Sequence, residues 1–125
     1  MFNQLAKHTV RRFLFRAAGW ACVAVLIVLS LVPGNERLHT GLPCGQIEHF
    51  IAYCGTATLL GVGYPMARAR LGMVAMLAAL AAMLEMTQQW LPDRHAQFID
   101  FAASAAGACL GMLAVAVVDR GIASK

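Results

Sequence analysis

Few side chains in this 125-residue chain could do chemistry, and they recur at helical spacing. His49 has Tyr53 one turn on and Thr56 a further turn along; Glu85 is followed at i+3 and i+4 by Gln88 and Gln89; Asp100 leads a stripe with Ser104, Gly107 and Gly111. Between the last two sets a turn over 91–98 carries Arg94 and His95. An imidazole exchanges protons near neutral pH, and a carboxyl joins it when desolvation raises its pKa, so His49, Glu85 and Asp100 are the candidates for catalysis. A planar guanidinium binds phosphate or carboxylate. The ligand-binding candidates are therefore His49, Tyr53, Glu85, Gln88, Gln89, Arg94 and Asp100. Taken alone, Asp100 suits a helix N-cap, where its carboxylate accepts orphan N–H groups. His49, Glu85, His95 and Asp100 are metal-ligand types without a diagnostic spacing, so no metal and no cofactor is expected.

The elements that must hold these groups follow from composition. Hydrophobic residues make up 60% of the chain and charged residues 13%, against about 25% charged in soluble domains. So little charge cannot wet the surface of a small protein, which excludes a disordered chain and an isolated nucleic-acid module despite the net charge of +4. The partner expected is the lipid bilayer, with no nucleic acid. Four stretches, 17–32, 50–67, 71–84 and 101–118, are almost free of charge, and with their polar flanks each reaches the roughly 20 residues that cross a hydrocarbon core. Breakers separate them at Pro33-Gly34, Pro65 and Leu91-Pro92-Asp93. The expectation is an all-α membrane protein, one domain over 1–125, built as an up-and-down bundle of four transmembrane helices with spans at 14–33, 48–66, 71–90 and 99–118.

Charge orients the spans. Lys7, Arg11, Arg12, Arg16, Arg68, Arg70, Arg120 and Lys125 fall on the side of the two termini, eight of the ten basic residues, against Arg37 and Arg94 opposite. The positive-inside rule then makes both termini cytoplasmic. A cleaved signal peptide is the weaker reading of the first span, since no small-x-small cleavage site follows Val32. Cys22, Cys54 and Cys109 lie within spans, Cys44 stands alone in the outer link, and no disulfide framework or CxxC pair is present.

Alternating direction brings the chemical groups to one depth. The second helix enters from outside, the third leaves toward outside and the fourth enters again, so His49, Glu85 and Asp100 share the outer rim. Glu85 lies roughly 21 Å up the third helix from Arg70 at about 1.5 Å per residue, below the interface. Ala78, Ala81 and Ala82 on one helix, with Gly107 and Gly111 on the next, let the backbones approach and turn the polar stripes inward. An outward-facing polar pocket is expected.

In this order the residues resemble the VanZ-like family. His49-Phe50-Ile51-Ala52-Tyr53 is similar to that family's His-Phe-x-x-Tyr. Glu85-Met86-Thr87-Gln88 and Leu91-Pro92-Asp93-Arg94 are similar to its Glu-x-x-Gln and Pro-Gly-Arg elements, and Phe98-Ile99-Asp100 with Gly107 to its helix-opening Asp and later Gly. The resemblance covers roughly residues 45–115. This chain has Gly45-Gln46, Asp93 and Ser104 where the family often has Asp-Lys, Gly and Asn. It implies a small multi-pass protein of the cell membrane, bacterial inner membrane by resemblance, in a family named for low-level teicoplanin resistance. The function expected is a pocket for a lipid headgroup, a cell-wall precursor or a glycopeptide-related ligand. The alternatives are a structural protein whose polar cluster fixes helix packing and an intramembrane enzyme acting on an envelope lipid. Transport has little support, because only Thr56 and Thr58 continue the polar path inward. Small-residue faces also allow a homo-oligomer.

Overall fold

A computed structural model describes residues 2–32, 45–91 and 97–124. The chain forms four helices: α1 (Phe2–Leu31), α2 (Gly45–Gly63), α3 (Ala67–Gln88) and α4 (Phe98–Ala123). No strand occurs among the described residues. Helices α1, α3 and α4 are long and apolar enough to cross a membrane. Gln46, Glu48, His49, Tyr53, Thr56 and Thr58 make α2 less apolar. α2 packs against α1, α3 and α4, as α3 does against the other three, whereas α1 and α4 do not meet among the described residues. Tyr53 and Thr56 of α2 are buried in these contacts, which lets the helix keep polar groups that a lipid-facing surface could not, while Ile47 and Ile51 are exposed.

Two helices outrun the spans expected for them. α1 starts at Phe2 and not near residue 14, since neither Gly nor Pro occurs before Gly19 to stop it, and the basic residues Lys7, Arg11, Arg12 and Arg16 ride on its exposed first half. α4 continues to Ala123, past 118. Between α2 and α3 the break is earlier than expected, after Gly63, because Pro65 has no N–H to donate and disfavours helical backbone at the residue before it.

Packing shows the helix directions. Gly19 of α1 lies against Leu60, and Arg16 lies against Gly63, so α1 and α2 are antiparallel. Gly107 and Gly111 of α4 lie against Phe50 and Cys54, and Gly61 lies beside Met112 and Val115, so α2 and α4 run parallel. α3 reverses between them. At Gly107 and Gly111 a Cβ would land on the carbonyl oxygens of Phe50 and Cys54, and at Gly111 also on Thr58 Oγ1. These two residues let the α4 backbone rest directly on α2.

Where α2 ends, two arginines take its last carbonyls. Arg16 Nε donates to Gly63 O at 2.8 Å, and its guanidinium lies 4.6 Å from the centre of the Tyr64 ring. Trp20 Nε1 donates to Tyr64 Oη at 3.0 Å. Arg70, buried at 8% exposure, donates through Nε to Gly61 O at 3.1 Å and Tyr64 O at 3.2 Å. Its Nη2 donates to Gly61 O at 2.9 Å and pairs with the Asp119 carboxylate. Cations at this position meet the negative pole of the α2 dipole and satisfy carbonyls that have no partner within the helix.

The glycine contacts define a stability test. Gly107→Val and Gly111→Val are each expected to destabilise the folded protein by at least 1–3 kcal/mol, roughly the range for overpacking. Gly72→Ala and Gly121→Ala, where nothing lies within 4 Å of the added Cβ, should leave stability unchanged or raise it by about 0.5–1 kcal/mol. Thermal unfolding of the four variants in one detergent checks this; equal behaviour of the two pairs would contradict the packing.

Candidate functional site

The start of α4 is built differently from the expectation. Gln97 is the N-cap, with extended backbone at φ −124° and ψ 128°, and no side chain caps it within its own turn. Asp100 is therefore not the cap. It stands in the first helical turn, and its own N–H bonds to Gln97 O at 2.9 Å. The service expected of Asp100 comes instead from α3: Glu85 Oε2 accepts the Gln97 backbone N–H at 3.3 Å. Because the helix begins at Phe98, the Asp100 carboxylate is free of the capping role, although it gains from the positive end of the helix. Its Oδ1 is buried and accepts no hydrogen bond.

Three helices converge here. His49 from α2, Glu85 from α3 and Asp100 from α4 each offer one nitrogen or oxygen within 4.8 Å of the other two. Glu85 is 8% exposed, and the other two are half-buried. Ser104, one turn below Asp100 and 1% exposed, joins the set. Its hydroxyl donates to Asp100 O at 2.9 Å, and the same oxygen lies 3.5 Å from His49 Nδ1.

The remaining candidates divide. Tyr53 is 2% exposed, on the His49 face of α2 one turn farther into the bundle. Gln88 is 3% exposed and spans to α1, where Nε2 donates to Ser30 O at 3.1 Å. Gln89 is exposed and forms the C-cap of α3. It shares with Glu85, Gln97, Phe98 and Phe101 a cleft of about 340 Å³ between α3 and α4. On the α1 side, Glu48 and His49 line a smaller crevice of about 100 Å³ with Leu26, Leu29 and Ser30. Arg94 and His95 lie outside the described residues.

Linear spacing offers no metal signature, yet the folded chain assembles one imidazole and two carboxylates from positions 49, 85 and 100. Such a set can exchange protons, hold a cation, or bind a polar group presented from the rim of the bundle. Sequence reading did not name Gln97, and it gave Ser104 only as a member of the Asp100 stripe. Gln97 supplies the backbone N–H that Glu85 holds, and Ser104 supplies the contact to His49. The signal for Ser104 was present as its i+4 spacing from Asp100; nothing in the sequence marks Gln97. Compared with family models, with curated proteins and with solved structures, the chain matches none.

The two glutamines should separate in a stability assay. Gln88→Ala removes the α3–α1 hydrogen bond to Ser30 and is expected to lower stability by about 1 kcal/mol. Gln89→Ala, at an exposed cap, should stay within about 0.5 kcal/mol of the parent. Chemical or thermal unfolding in detergent reads both.

Proposed function

We propose that this chain is a VanZ-like, four-span protein of the cell membrane with both termini in the cytoplasm, and that its polar chamber binds the head of an envelope lipid or a cell-wall precursor. The observation that carries the reading is the convergence of His49, Glu85 and Asp100 from three helices beside an open cleft. Three of the helices are apolar enough to span, and α2, which packs against all three, is read as the fourth. The eight-to-two division of basic residues supports the orientation. In that arrangement the cleft edged by Phe98 and Phe101 opens at headgroup depth, where a ligand's acyl part meets aromatic rings and its polar part meets Glu85 and Gln89. Arg94, six residues before Asp100 in the sequence, is the proposed guanidinium fork for phosphate or carboxylate.

A structural role is the second reading, favoured by the Glu85–Gln97 and Gln88–Ser30 bonds, which tie helix ends together. The two readings part at Glu85. Glu85→Gln retains an oxygen that can accept the Gln97 N–H, so a structural role tolerates it. A ligand site loses its charge and its bound molecule while the protein stays folded.

Two measurements test the reading. Fusions that report compartment, placed at the carboxyl terminus, should read cytoplasmic; an outward terminus contradicts the four-span topology. Mass spectrometry of lipids that copurify with the intact protein should find a retained class of molecule, depleted several-fold by Arg94→Ala and by Glu85→Gln. An unchanged lipid profile in both folded variants would overturn the pocket.

A further inference from the structure

We propose that His49, Glu85 and Asp100 form a binding site for a divalent transition-metal cation of the Zn²⁺ or Mn²⁺ type. Three observations converge. One nitrogen and two oxygen donors, from three different helices, already lie within 4.8 Å of one another. Donors around a tetrahedral ion with bonds of about 2.0–2.2 Å stand roughly 3.3 Å apart, so closure asks for about 1.5 Å, within reach of carboxylate side-chain torsions. One imidazole with two carboxylates is a ligand set for borderline and hard first-row divalent ions.

The second observation is the Asp100 Oδ1 atom, which is buried and has no hydrogen-bond partner. A buried carboxylate oxygen normally accepts a hydrogen bond, and one that accepts none is available to a cation. The third lies behind the histidine: Ser104 Oγ stands 3.5 Å from His49 Nδ1, and Ser104 acts as a positioning residue of the kind that orients metal-ligating histidines.

The site has three protein ligands, which leaves a coordination position for water or for an oxygen of a bound molecule. This inference does not depend on a lipid ligand. Wild type that binds no cation yet retains its copurifying lipid would end the metal site and spare the pocket; the opposite result would do the reverse.

The test uses the full chain in detergent, purified without a histidine tag, stripped with a chelator and titrated with Zn²⁺ and Mn²⁺ against a chromophoric competitor. One equivalent per chain is expected, with a rise in unfolding temperature on loading. Co²⁺ substituted into the site should give visible absorption bands. Asp100→Asn and Glu85→Gln should each weaken binding by more than about 100-fold, and Ser104→Ala by about tenfold. The exposed His8→Ala should bind like the parent. Absence of a stoichiometric site in folded wild type would overturn the proposal, as would undiminished binding in the folded Glu85→Gln, Asp100→Asn double variant.

Discussion

Contact between the backbones of α2 and α4 sets the geometry of the whole bundle. Gly107 and Gly111 present no side chain to the Phe50 and Cys54 carbonyls, so α4 settles closer to α2 than any larger residue would permit. This close approach, with the helices parallel, fixes the register in which Ser104 falls beside His49 and Asp100 falls above it. α3 then closes the third side, with Leu77 and Ala81 in the core and Glu85 delivered to the first turn of α4. Moving α4 outward by one methyl group would separate Ser104 from His49 and Gln97 from Glu85, although neither pair involves a glycine.

Polar groups in the bundle are treated differently at its two ends. Where α2 ends, an excess of carbonyl oxygens and the Asp119 carboxylate is met by the guanidinium groups of Arg16 and Arg70, and the ends of three helices are tied by hydrogen bonds. Around the amino-terminal turns of α2 and α4 the described cluster holds two carboxylates and one imidazole, with an oxygen of Asp100 unsatisfied. The first end resembles a finished structural joint. The second gathers ionisable groups from three helices around one unsatisfied carboxylate oxygen.

Much of this was legible in the sequence, for identifiable reasons. Apolar runs and the breakers at 33–34, 65 and 91–93 locate four helices because segment length and proline chemistry are local properties. Their limits were less legible: α1 extends back to Phe2 because nothing in its polar first half forbids helix, whatever the membrane requires. Within each helix, spacing of three or four residues correctly associates His49 with Tyr53 and Asp100 with Ser104 on common faces. Between helices there is no such period. The Gln88–Ser30 bond joins residues 58 apart and the Arg70–Asp119 pair residues 49 apart, and both depend on a register that only packing determines. Gln88 and Gln89 both neighbour Glu85 on the helix surface, yet one is enclosed and the other faces the cleft, a distinction of about 100° in rotation. The Asp100 cap was misread for a related reason, since the cap falls three residues earlier, at Gln97.

The chain has two tryptophans, and the fold separates them. Trp20 is hydrogen-bonded to Tyr64 at the joint where α2 ends, and Trp90 follows α3 at the opposite extremity, 86% exposed. Native fluorescence therefore contains two reporters at opposite ends of the bundle, one beside a phenol and the other exposed. Single replacement of either indole would leave the unlabelled protein with one emitter that watches one end of the fold.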